Sequence, residues 1–381
     1  MEFLFQRCYF VRESSLSLPT LTSFKLLSLP KMKKLAWSCA LITLTGVWSS
    51  CNDKLEIAAP YKNITVVYGL FNMDDTAHYV RIQKAFMDEN KSALNMAKEA
   101  DSSFYRSLEV SVKELSPSGT LLYTNFLSRV DLKNEGFPKD TGAFFNTPSY
   151  AYKFKYTMNP ENSYRIIIKN KETGNVDSVV TPVINTNLAL IYFGVRQWVN
   201  PLMRINFARF ANPNTTGRSS YDLSVPPNAY MAQLIIRFNW LDTNTASHTG
   251  TRHSADFVAG EQTVTPGAAA SFVIVNNNIY DFLEDALGKP AAEDIRYMDS
   301  CDMFLYVAGE EYEKFNRLNQ NSGGLTTNEI RPVYTNVRGK DVMGLLSTRA
   351  EKHRLRIAID DPTRDSLQVN LHTKDLKIRF R

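Results

Sequence analysis

Histidine and acidic residues are the first place to look for chemistry in this chain. It has five histidines, His78, His248, His253, His353 and His372. Only His248 and His253 lie close in sequence, in the stretch His248-Thr249-Gly250-Thr251-Arg252-His253. With a carboxylate such as Asp256, two imidazoles could complete a metal-ligand set. A solvated loop rich in Ser and Thr accounts for the same residues without a metal. Two acid pairs, Asp74-Asp75 and Asp360-Asp361, are the other candidates. Paired carboxylates perform general acid–base chemistry or bind calcium through oxygen. Each pair sits among turn residues, however, and turn acids commonly bond their own backbone.

Motif spacing adds no catalytic reading. The sequence has no GxxxxGK[ST], GxGxxG, HExxH, GxSxG or CxxC and no EF-hand loop. No cofactor and no catalytic residue is therefore expected. Cys301, beside Asp302, reads as a small buried apolar residue. Trp198 and Trp240 read as core residues, as do most of the Tyr and Phe, because aromatics recur on the alternating faces of strand-like runs.

The N-terminus carries the most specific signal. Lys33-Lys34 precede an uncharged run, Leu35 to Trp48, and Ser49-Ser50-Cys51 follows. A basic segment, an apolar segment and small residues before a cysteine make up an export signal of the lipoprotein type. The apolar run has 14 residues, short of the roughly 20 that a spanning helix needs. Cys51 is then the lipid attachment site, carrying acyl chains such as palmitate, and becomes the first residue of the mature chain. Residues 1–31 do not fit this plan and read as an extension upstream of a start at Met32.

That assignment changes what composition means. The chain carries +5 overall. Residues 1–50 hold six Lys/Arg and two acids, so the chain from Cys51 onward carries only +1. Nucleic acid is therefore not an expected partner, since phosphate binding needs a basic excess. Of the four cysteines, only Cys301 lies beyond Cys51, so no internal disulfide can form in the mature chain.

The elements that must position any site are strands. Ile64, Val66 and Tyr68 alternate, then Val80 and Ile82, then Leu108, Val110 and Val112. Residues 108–126 read as a hairpin about Ser116-Pro117-Ser118-Gly119. Tyr152 and Phe154 alternate, then Tyr164, Ile166 and Ile168, before the Lys171–Asn175 turn and Val176 to Val180. Ser92 to Ala100 reads as one short helix. Period-two patterning with short turns predicts an immunoglobulin-like β-sandwich over residues 63–186. Residues 51–62 form a tether, and residues 187–381 a second β-rich domain with a few short helices. In that domain Ile279, Phe282, Leu283, Ala286 and Leu287 define a helix face ending at Gly288. Glu310–Lys314 and Glu313–Arg317 pairs mark a second helix. His353–Ile359 and Leu367–Phe380 read as closing strands. Asn63-Ile64-Thr65 and Asn214-Thr215-Thr216 match the glycosylation triplet by chance.

The plan resembles a large group of Bacteroidota cell-surface lipoproteins whose shared domain has no assigned function. The likeness rests on three stretches. The first is Cys51 followed by the strand Ile64–Gly69. The second is Tyr164–Ile168, Gly174 and Val179-Val180-Thr181-Pro182. The third is Glu311–Phe315, Ser322-Gly323-Gly324, Arg331-Pro332-Val333, Thr335-Asn336-Val337 and Val342–Leu346. The resemblance implies attachment to the outer membrane through lipid, with the fold at the cell surface. It also implies a partner such as a TonB-dependent receptor, because such receptors are often encoded beside family members. The expected function is non-catalytic ligand or partner binding. The alternative is a lipid-anchored β-sandwich hydrolase that uses paired carboxylates.

Overall fold

The computed structural model describes residues 64–85, 93–140, 142, 145–185, 189–192, 204–208, 217–320 and 334–380. Cys51, the export segment, the tether, residues 1–31, Trp198, the Asn214 triplet and Ser322–Gly324 lie outside the described residues, as do parts of the Asn63 triplet. Everything described belongs to one compact unit, Pro60–Arg381.

The protein is mostly β, with a few short helices. The first half contains β1 (Ile64–Phe71), β2 (Ala77–Ala85), β3 (Leu108–Leu115), β4 (Leu121–Phe126), β5 (Ser128–Asp131), β6 (Tyr150–Lys155), β7 (Ser163–Asn170) and β8 (Val176–Pro182). Two single-turn helices, Ala93–Met96 and Ala100–Ser103, separate β2 from β3. The second half contains β9 (Ala189–Tyr192), β10 (Arg204–Ile205), β11 (Arg218–Ser224), β12 (Met231–Asn244), β13 (Gly250–Thr263) and β14 (Ala269–Val275). Helix α1 (Asn276–Leu287), β15 (Asp294–Ala308), α2 (Glu310–Gln320), β16 (Val342–Ile359), α3 (Asp361–Val369) and β17 (Ile378–Arg379) complete the chain.

Strands β4-β3-β7-β8 form one sheet of the first half. Facing it is β1-β2-β6-β5, one end of a long sheet ordered β13-β12-β15-β16-β1-β2-β6-β5. Val67, Phe71, Val80, Ile82 and Phe154 of that sheet pack against Val110, Val112, Ile166, Ile168 and Val179 of the other. Two antiparallel sheets closing on one apolar layer give the immunoglobulin-like sandwich that the alternation predicts. Tyr164 adds a signature of such sandwiches. At the start of β7 its hydroxyl accepts the Asn159 backbone N–H at 2.6 Å and donates to Glu114 Oε1 at 2.9 Å.

Strand β16 ties the two halves together. It runs parallel to β1, with Val67 opposite Gly344 and Phe71 opposite Thr348, and antiparallel to β15. Val337 and Leu346 thereby join the core of the first sandwich. At the junction Thr348 donates to the carbonyl of Phe71 at 3.2 Å and accepts the Ile184 N–H at 3.1 Å. The second core lies between β12, β15 and β16 on one side and β11, β14, α1 and α3 on the other. Helix α1 buries Ile279, Leu283 and Leu287 and ends at Gly288, whose φ is +57°. Helix α2 carries both expected ion pairs, Lys314–Glu310 at 2.8 Å and Arg317–Glu313 at 3.6 Å.

Two expectations need correction. The run from Leu367 is not a strand. Residues 361–369 are helical, because Asp360 caps the helix by accepting the Thr363 N–H and Pro362 suits the first turn. Only Ile378–Arg379 pair as strand, with β15. His253 and Asp256, expected in a loop with His248, lie within β13, paired along its length to β12. The alternating Ala255, Phe257 and Ala259 of β13 pack on the second core, which overrides the polar composition.

Candidate functional site

The structure places the three candidate metal ligands, His248, His253 and Asp256, in separate contacts. His248 stands in the exposed turn between β12 and β13 with φ at +54°. His253 stacks on Trp240, ring centroids 5.6 Å apart, with Nε2 3.8 Å from Asp242 Oδ2. Asp256 forms a two-point pair with Arg237, at 2.6 and 2.8 Å. His253 and Asp256 are three positions apart on a strand, so their side chains leave opposite faces. Among the described residues no group of three His, Cys, Asp or Glu is placed to hold a metal ion.

The acid pairs are equally dispersed. Asp74 and Asp75 cap the β1–β2 turn, where Asn72 accepts both of their backbone N–H groups. Burial pushes the Asp75 carboxyl above its usual range, partly offset by Arg349, whose Nη2 lies 3.8 Å away. Asp360 is the cap of α3, and Asp361 is exposed near Arg204 and Arg364. Arg349 and Asp360 are eleven positions apart along β16 and just beyond its end. At about 3.3 Å per residue that run spans at most about 35 Å, and no hydrogen bond or ion pair joins the two acid pairs among the described residues. Cys301 is fully buried and burial pushes its thiol strongly upward, as expected of a core residue. Trp240 is likewise buried.

Three other features, at separate places in the fold, stand out instead. The first is the edge strand β4, Leu-Leu-Tyr-Thr-Asn-Phe, with no charged residue and all but Asn125 exposed. Leu121, Leu122, Tyr123 and Phe126 are 50%, 55%, 43% and 64% exposed. The opposite edge of that sheet, β8, is closed by Arg338, which exchanges two backbone hydrogen bonds with Ser178 at 2.8 Å. The second is a polar cavity of about 150 Å³ beside α2, lined by Glu261, Thr263, Glu313, Asn316 and Arg317. Its carboxylates are engaged: Glu261 accepts from Gln233 and Asn316, and Glu313 from Thr263.

The third is a cleft of about 140 Å³ walled by Phe104, Tyr105, Pro148 and Tyr150, with Arg129, Arg106 and Asp101 supplying its charge. The guanidinium of Arg129 lies 3.7 Å from the Tyr150 ring centroid and donates one N–H to the Tyr105 carbonyl at 3.1 Å. Phe104 meets Tyr150 edge-on at 5.1 Å. Three segments supply these residues: the turn after Ala100–Ser103, β5 and the start of β6. No motif spacing announces them, and a high aromatic content is the one trace they leave in the sequence.

No protein-family model matches the chain, and no curated protein does either. Among solved structures, one that is similar is the C-terminal globular domain of an oligosaccharyltransferase from Pyrococcus abyssi. It is 10% identical, with a TM-score of 0.22, over 64% of this chain and 46% of that one. Another is trypsin-activated alpha-2-macroglobulin from Escherichia coli, 7% identical, TM-score 0.17, over 66% of this chain and 14% of that one. The chain thus spans less than half the length of either structure. Likeness at this level carries no functional argument. Fold and surface define a mostly β protein built on an immunoglobulin-like sandwich, in which the apolar strand β4 ends one sheet and is exposed among the described residues. No helix among the described residues is long and apolar enough to cross a membrane.

Proposed function

We propose that this is a non-catalytic protein of the cell envelope, anchored by lipid at Cys51 to the outer membrane, which binds an envelope partner such as a TonB-dependent receptor. The observation that carries the partner-binding part is β4. Proteins ordinarily blunt a free sheet edge with charge, proline or a covering element. Here the edge is uncharged and presents Leu122 and Phe126 to solvent. Such an edge suits strand addition, in which an extended partner segment completes the backbone ladder and side-chain contacts select it. The anchoring part rests on the Lys33–Cys51 pattern, and the receptor on the family resemblance.

The test is co-purification from detergent-solubilised outer membranes. Wild-type protein is expected to recover a TonB-dependent receptor identified by peptide mass, and Leu122→Glu to lose it. Absence of a receptor, or equal recovery by the Leu122→Glu variant, contradicts the proposal.

A further inference from the structure

The cleft at the start of β5 has the features of a binding site in its own right. Its cation is held ready. Stacking on Tyr150 and the bond to the Tyr105 carbonyl fix the Arg129 fork at two points, so little side-chain freedom remains to be lost on binding. A guanidinium carries five N–H donors in one plane, and the Tyr105 bond uses one of them. Arg106 adds a second positive charge at the rim, against the single carboxylate of Asp101. The walls are aromatic and proline surface, which excludes water from one side of any group that enters and strengthens a charged hydrogen bond there.

Size narrows the ligand. A volume of about 140 Å³ corresponds to about five water molecules at bulk density. Drug-sized sites run from about 300 Å³ upward. The cleft therefore takes one compact group. A guanidinium fork pairs at two points with a carboxylate or a phosphate; a recess this small, with flat aromatic walls, favours the smaller and planar carboxylate.

We infer that the Phe104–Tyr105–Arg129–Tyr150 cleft binds a single carboxylate carried on a compact unit, either a uronic acid or an acidic side chain. The two sources share the chemistry that Arg129 reads. The site does not depend on the β4 edge: loss of carboxylate binding leaves receptor capture through β4 intact, and the reverse also holds.

Two matched pairs of probes test this on the lipid-free protein by NMR titration. Glucuronate is compared with glucose, and N-acetylglutamate amide with N-acetylglutamine amide. At least one acid is expected to bind at least about ten-fold more tightly than its neutral match, a difference of about 1.4 kcal/mol. The tighter acid names the source. Binding is expected to weaken with salt and to fall at least ten-fold in Arg129→Gln, whose exposed position leaves folding intact. Equal binding of acid and neutral probes, or no binding of either acid at tens of millimolar, overturns the inference. Full affinity in a folded Arg129→Gln variant overturns it too. Should that variant fail to fold, the acid-to-neutral ratio of the wild type decides.

Discussion

Gly344 crosses β1 so closely that a Cβ on it would lie 1.9 Å from the carbonyl oxygen of Val67. Its φ is +135°, a conformation that side chains rarely adopt. The parallel β1–β16 pairing, which joins the two halves, therefore depends on a missing side chain at one position. Gly344→Ala is expected to cost about 3 kcal/mol or more, since backbone must move on both strands. Chemical denaturation measures it; a change within experimental error would mean that this contact does not shape the junction.

Glu114 is the next point at which the sandwich can be probed. It is buried, and accepts from Tyr156 at 2.5 Å, Asn162 at 2.8 Å and Tyr164 at 2.9 Å. Burial alone would raise its carboxyl; the three donors outweigh that and hold it below the usual range. In return the Glu114 bond and burial push the Tyr156 hydroxyl up to about 12. Glu114→Ala leaves three polar groups without their acceptor and is expected to cost about 3 kcal/mol. Ultraviolet titration of the folded wild type is expected to show Tyr156 still protonated at pH 10.

Acid sensitivity is expected from His78. The ring is buried beside Phe71 and Phe154, with Nε2 2.9 Å from the Tyr156 carbonyl. Burial lowers its folded-state pKa below 6.5. The unfolded chain therefore takes up the proton first. The contribution is fully present above pH 6.5 and is lost as pH falls from there towards the folded value, at up to about 1.4 kcal/mol per pH unit. Asp75, raised by burial, acts in the opposite sense, since the folded chain holds that proton more tightly and the contribution is lost as pH rises; it is common to wild type and variant. Melting curves of wild type and His78→Phe between pH 7.5 and 5.5 test it: the wild type is expected to show the steeper decline, and parallel curves would contradict the assignment.

Arg296 is buried against Trp240 and paired with Asp242 at 2.7 and 3.0 Å. It also donates to the carbonyl of Gly288 at the end of α1. Arg296→Ala leaves Asp242 and that carbonyl without their donors, at an expected cost of about 3 kcal/mol or more. Replacing both charges, Arg296→Met with Asp242→Leu, is expected to recover most of it, because an apolar pair of similar volume removes the desolvation penalty. Denaturant midpoints of the single and double variants measure this.

How far these features were legible depends on their range along the chain. Local patterns carried well. The 108–126 hairpin, the β7 face of Tyr164, Ile166 and Ile168 and the α1 stripe all follow from periodicity within a dozen residues. Phase was harder where both faces are apolar. Ile64, Val66 and Tyr68 show the alternation, yet Val67 and Phe71 are the residues that fill the sandwich core. The β1–β16 pairing joins residues nearly 280 positions apart and left no sequence signal except a glycine. The cleft failed to show for the same reason. Arg129, Tyr105 and Tyr150 come from three segments, and only tertiary packing puts a guanidinium on an aromatic ring. The candidates chosen by residue type alone, His253 with Asp256 and the two acid pairs, went to stacking, ion pairing and capping.

The most direct test of the account is photo-crosslinking from the β4 edge in intact cells. A photoreactive residue at Thr124, exposed at the middle of β4, is expected to give an adduct with a TonB-dependent receptor. That adduct should disappear when Cys51→Ser removes the anchor. No adduct, or an adduct only with a second copy of this chain, would contradict the claim that β4 docks an outer-membrane partner.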